Sequence, residues 1–201
     1  MKSFSDILFN KVSLPPELLS STEFKVLHLS DTPTAIYPAI YEMLAKIQPD
    51  VLIHSGDLAD DIKLELSPNR LDQYAAATEP FLKNLAKNSK KLYISIGNHD
   101  SHAFLKTLGS HFCILENGSI LEIQGKRIAV SHYFESLPKE ADYGLFGHGS
   151  EEKKIKHGKF LLDGIKNINF LLLPSGMVYT VSYPYGTNHH RKYKNMTPTL
   201  L

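Results

Sequence analysis

The sequence predicts a single α/β domain: a two-layered sheet system, parallel at the start and more antiparallel later, with helices on the outside. Three observations predict it. Through the first half, short apolar β-prone runs alternate with helical spacing, the pattern of a parallel sheet with right-handed crossovers. Each of those strands ends in a carboxylate or an amide. After Leu108-Gly109 the helical spacing weakens and short strand-like runs take over.

Residues 1–22 mix short apolar pieces with Pro15-Pro16 and read as an N-terminal extension docking on the domain, with room for one helical turn. Residues 24–30 form the first convincing strand, delivering Asp31 at its carboxyl end. Ile36, Ile40, Met43, Leu44 and Ile47 then recur at helical spacing, with Pro38 suited to a first turn. Residues 51–55 are a second buried strand, delivering Gly56-Asp57 and an Asp-rich loop. Ser67-Pro68 starts the next helix, with Leu71, Tyr74, Ala75, Phe81, Leu82 and Leu85 as its buried stripe. Pro80, inside that stripe, is expected to kink or divide the helix. Leu92, Tyr93, Ile94 and Ile96 make a third buried strand, which stops at Gly97-Asn98-His99-Asp100.

In the second half, strand-like runs at 112–116, 119–123 and 127–131 are punctuated by Asn117-Gly118 and Gln124-Gly125, both hairpin signals. The run at 127–131 delivers His132, and that at 143–146 delivers Gly147-His148. Residues 169–173 and 177–183 form a final hairpin across Pro174-Ser175-Gly176. The expected organisation is an extension (1–22), a domain (23–184) and a polar, basic, loosely held tail (185–201).

A chain of 201 residues fits one domain. The net charge of +1 supplies no general attraction to nucleic acid or to anionic membrane. No apolar run is long enough to span a bilayer. The one cysteine, Cys113, excludes an intrachain disulfide and reads as a small core residue, which together point to the cytoplasm. Ten histidines exceed what packing asks for.

Five strand ends therefore carry Asp31, Asp57, Asn98, His132 and His148. In an open α/β sheet, chemistry gathers at the carboxyl ends of the strands. Carboxylate, amide and imidazole together suit one or two divalent metal ions of the Mn²⁺, Fe²⁺, Zn²⁺ or Mg²⁺ kind. His28 and His54 lie three residues before Asp31 and Asp57, on the opposite face, and are assigned to sheet packing. His102 and His111 flank the helix after Asn98 and could line the pocket at these strand ends.

In order, the segments Ser30-Asp31, Gly56-Asp57-Leu58-Ala59-Asp60, Gly97-Asn98-His99-Asp100, His132 and Gly147-His148 resemble the motif series of the calcineurin-like metallophosphoesterases. The resemblance implies a β-sandwich flanked by helices with a two-metal centre at the strand ends. It implies that Asp57 bridges the metals, that Asn98, His132 and His148 complete the second site, and that Asp31 belongs to the first. It also implies that His99 protonates the leaving group and that Asp100 orients His99. Asp60 and Ser150 would stand just behind the ligands. The reaction implied is hydrolysis of a phosphomonoester or phosphodiester by metal-activated water, on a small phosphoester substrate, with no membrane role and no clear nucleic-acid signal.

Two positions depart from the family pattern. Pro33 stands where the first motif usually has histidine, and Ser150 stands where the last one does. Both losses fall on the first metal site, leaving it oxygen ligands that suit Mg²⁺ or Mn²⁺. The alternative implied by these losses is a non-catalytic binding or scaffold protein on the same fold.

Overall fold

The computed structural model describes residues 11–148 and 160–191. Ser150, expected to stand just behind the ligands, lies outside the described residues, as do residues 1–10 of the extension and 192–201 of the tail.

Two sheets pack face to face. The first has six strands in the order β10-β9-β1-β2-β3-β4, comprising β1 (Phe24–Leu29), β2 (Val51–His54), β3 (Lys91–Ser95), β4 (Cys113–Leu115), β9 (Ile168–Leu173) and β10 (Val178–Val181). Strands β1 to β4 run parallel, and the β9–β10 hairpin joins β1 antiparallel. The second sheet has four strands, β5 (Ser119–Ile123), β6 (Lys126–Tyr133), β7 (Tyr143–His148) and β8 (Phe160–Asp163). Strands β5 and β6 form the expected hairpin, but β6, β7 and β8 are parallel. The antiparallel expectation for the second half is corrected to that extent. Parallel pairing puts the ends of β6 and β7, with His132 and His148, on the same edge.

Side chains alternate across each strand, so the first sheet feeds two cores. Leu27, Leu29, Leu52, Leu92 and Ile94 face the helices α1 (Pro16–Ser20), α2 (Tyr37–Ile47), α3 (Leu71–Lys87) and α4 (His102–Thr107). Val26, Val51, Ile53, Leu171 and Leu173 face the second sheet, against Ile128, Val130, Leu145 and Leu162. Burial on both faces is why these strands read as near-continuous apolar runs.

Three local expectations change. Pro80 does not divide α3, which runs unbroken through it; Ala76 and Pro80 both lie on the exposed face, so the carbonyl lacking its usual donor can meet water. Asn117-Gly118 is not a hairpin turn, because it passes the chain from β4 in one sheet to β5 in the other. Cys113 is exposed rather than packed in the core.

Candidate metal centre

Asp31 and Asp57 follow the first two parallel strands, and both adopt the left-handed region, with φ of 50° and 57°. Asp tolerates that region better than most residues, but it still needs support from its surroundings. The two turns support each other: Asp31 N donates to Gly56 O at 2.9 Å and Thr32 N to Asp57 O at 3.0 Å. Both carboxylates are buried.

Close approach between strand ends accounts for two glycines. A Cβ at Gly97 would overlap Asp57 Oδ1, and one at Gly147 would overlap Ser30 Oγ and approach Asp31 Oδ2. The turns can therefore converge only where no side chain intervenes.

The geometry gathers most of the sequence-predicted residues. Ligand atoms of Asp31, Asp57 and His132 lie within 4.8 Å of one another, as do those of Asp57, Asp60 and His99. His132 is fully buried; its Nδ1 is 2.9 Å from Ser55 O and its Nε2 2.9 Å from Asn98 Oδ1 and 3.6 Å from Asp57 Oδ2. His99 N donates to Asp57 Oδ1 at 2.9 Å, and its ring Nδ1 lies 3.6 Å from Glu65 Oε2. His148 stands at the exposed rim of β7, with its ring 5.7 Å from that of His132, outside both clusters.

Asp100 has a different set of partners from the one expected. Its two oxygens accept from Asp57 N (2.8 Å), Leu58 N (2.8 Å), Gly97 N (2.9 Å) and the Tyr74 hydroxyl (2.9 Å). The carboxylate is spent joining the turns after β2 and β3, and the His99 ring is not among these partners. It acts on the backbone that carries Asp57 and His99.

Electrostatically the centre is short of positive charge. Burial, then the Asp31, Asp100 and Asp60 carboxylates, push the Asp57 carboxyl well above its usual range. Burial and Asp31 raise Asp60 to about 7, with Lys63 opposing. Burial, followed by Lys63, pushes the His99 imidazole down to about 4. Asp31 Oδ1 and Asp60 Oδ2 are buried with no hydrogen-bond partner. Buried acceptors are normally satisfied. Two orphaned carboxylate oxygens among crowded carboxylates are what a cation-binding centre leaves when only protein atoms are considered. Carboxylate, imidazole and amide donors fit a hard or borderline divalent ion, so the residues fit the group.

Three supporting residues were not legible in the sequence. Asn117 Oδ1 accepts from Ser95 Oγ (3.0 Å), Ser131 Oγ (3.1 Å) and His132 N, tying the end of β3 to the strand that delivers His132. Only its place in a turn-like Asn-Gly pair marked it. Arg191 follows α5 (Thr187–His190) and is 1% exposed. Its Nε donates to Asp31 O at 2.6 Å and Nη2 to Ser30 O at 3.1 Å, while Nη1 reaches Ile165 O and Asn188 Oδ1. Its guanidinium lies 4.4 Å from the Tyr183 ring centre. The segment to Arg191, expected to hang loosely, packs behind the Asp31 turn. Glu65 is the third of these residues.

Pro33 precedes a 3₁₀ turn, Thr34–Ile36, held when Thr34 N and Oγ1 donate to the Asp61 carboxylate at 2.7 and 2.8 Å. His28 and His54 support the turns from behind: His28 Nε2 is 2.9 Å from Ser55 Oγ, and His54 Nε2 3.0 Å from Thr32 Oγ1. His111 lines a groove of about 220 Å³ with Glu79, Leu82 and Phe112, on the helical side and away from the centre.

Comparison with known proteins agrees with this geometry. The chain is 26% identical over 150 residues to the DNA double-strand break repair protein Mre11 of Methanocaldococcus jannaschii, covering 69% of this chain. It spans 39% of that relative's length. The solved structure of YfcE, a phosphoesterase from E. coli, superposes with a TM-score of 0.51 at 17% identity, covering 79% of this chain and 99% of that one. Another solved chain reaches a TM-score of 0.56 at 10% identity, with 81% and 100% coverage. These structural likenesses concern the fold. The family model for calcineurin-like phosphoesterases matches residues 24–197, from β1 past the last described residue. With that span matched and its strand ends assembled as described, the chain belongs to the calcineurin-like phosphoesterases, a family of metal-dependent phosphoester hydrolases.

Proposed function

We propose that this protein hydrolyses a small phosphomonoester or phosphodiester, with His99 delivering a proton to the leaving oxygen. The observation that carries the reading is the convergence of Asp31, Asp57 and His132 within 4.8 Å, with an Asp31 oxygen left unpartnered. Asp31, Asp57, Asn98 and His132 would hold the cations, with His148 joining from the rim and Asp60 behind. Bound divalent cations supply Lewis acidity towards a phosphoryl group and acidify water. Mn²⁺ or Mg²⁺ suits the oxygen-rich Asp31 side.

The chain's own residues supply orientation and proton transfer. Asp100 fixes the turns that aim Asp57 and His99. The His99 imidazole is 8% exposed and stands with Asp57 and Asp60, where it can meet a phosphoester bound at the centre. Burial holds the free imidazole at about 4, so donation to a leaving alkoxide, a step that contributes about 10² to 10⁴ in rate, requires the negative charge of the bound phosphoester to raise it first. Among the described residues no helix is long and apolar enough to cross a membrane; we place the protein in the cytoplasm on its cysteine content.

The test is hydrolysis of bis-p-nitrophenyl phosphate and p-nitrophenyl phosphate with added Mn²⁺, by wild type and Asn98→Ala. Wild type should turn over at least one of the two, and the variant should lose most of that rate. Equal rates would sink the proposal. The Mre11 likeness puts a DNA oligonucleotide on the same panel.

One observation favours a second reading, that of a scaffold. Pro33 begins a 3₁₀ turn where the family usually places a ligating histidine. Less than one bound cation per chain, with no hydrolysis across the panel, would move that reading ahead.

A further inference from the structure

The amide of Asn98 has two unlike ends: its oxygen can face a cation and its NH₂ cannot. In the structure Nδ2 donates to Glu65 Oε2 at 2.6 Å and lies 3.2 Å from the ring nitrogens of His99. Oδ1 faces the opposite way, 2.9 Å from His132 Nε2. An ionised carboxylate can only accept a hydrogen bond. A flipped amide would set Oδ1 against Glu65 Oε2 and turn the NH₂ towards the centre.

We propose that Glu65 is a positioning residue, which by accepting from Asn98 Nδ2 keeps the Asn98 oxygen turned towards the cation centre. The inference rests on the reading of that centre as a divalent-cation site, and it adds a residue that lies outside the motif series. The backbone delivers Glu65 from an anchored turn. Leu66 N and Ser67 N both donate to Lys63 O at 3.0 Å, Leu64 is buried in a cluster with Ala59, Ile62 and Tyr74, and Arg70 Nη1 donates to Ile62 O at 2.8 Å. The Glu65 side chain itself is 56% exposed. Its removal should therefore leave the fold intact.

Two effects of Glu65 on a cation have to be separated: orientation of Asn98, and simple negative charge. Glu65→Gln keeps an oxygen that can accept from Asn98 and loses the charge, whereas Glu65→Ala loses both. The experiment titrates Mn²⁺ into chelator-stripped wild type, E65Q and E65A, reading free Mn²⁺ by electron paramagnetic resonance. Partners that orient a ligand are worth about 10- to 100-fold in metal affinity, so E65A should bind about 10-fold more weakly and E65Q within about 3-fold of wild type. The metal-free melting temperatures should agree within about 2 °C, as for an exposed substitution. E65A binding as wild type does, or E65Q as weak as E65A, would overturn the proposal. Absence of Mn²⁺ binding by wild type would instead overturn the reading of the centre itself, and the inference with it.

Discussion

Asp57 and Asp60 are held in a site that does not favour their charged forms. Burial and neighbouring carboxylates raise both, Asp60 to about 7. A cation binds the ionised form, so protons compete with it until the pH passes those raised values. The Mn²⁺ affinity of the stripped protein should therefore climb between pH 6 and pH 8, which calorimetric titration at the two pH values would measure. A flat profile would contradict the assignment. His28 behaves in the opposite sense. Burial lowers its imidazole to about 3 in the fold, against an ordinary value of 6.5. Its contribution to stability is present above about 6.5 and is lost as pH falls towards 3, because the unfolded chain takes up the proton first. Between pH 7 and pH 5 wild type should lose about 2 kcal/mol more than His28→Gln, measured by urea unfolding.

Among the elements, the turns at the strand ends are precise because other segments hold them. Asn117 gathers three donors from β3 and β6 on one oxygen. Asn117→Ala should cost about 2 kcal/mol, the penalty for leaving partly buried donors unpaired, and should weaken Mn²⁺ binding as His132 loosens. Urea unfolding and the titration above would read the two effects separately. Arg191 does the same for Asp31 through the Ser30 and Asp31 carbonyls. Arg191→Ala should destabilise the protein by about 3 kcal/mol, since it empties a buried space and strands several acceptors. Full stability in that variant would show that the packing of α5 is incidental to the Asp31 turn.

At the scale of the whole molecule, what the sequence shows best is what depends on local spacing. Apolar runs ending in Asp31, Asp57 and Asn98 marked a parallel sheet and one functional edge, because burial on both faces removes polar residues from a strand until its end. Partners distant in sequence were not legible. Asn117 looked like a hairpin residue because Asn-Gly chemistry is the same whether a chain reverses within a sheet or crosses to another. Arg191 looked like part of a solvated tail because nothing local signals that a charge will be buried against carbonyls 160 residues away. Asp100 was placed beside His99 by sequence adjacency, yet its bonds run to residues more than 40 positions earlier, Asp57 and Leu58, as well as to nearby Gly97. Everything above turns on whether this edge binds divalent cations through Asp31, Asp57 and His132. Anomalous scattering from crystals of the stripped protein soaked in Mn²⁺ tests it most directly. The expected result is a peak within ligand distance of Asp57 and His132, with Asp31 Oδ1 turned towards it. Crystals that take up no Mn²⁺ at these residues, or place it elsewhere, would contradict it.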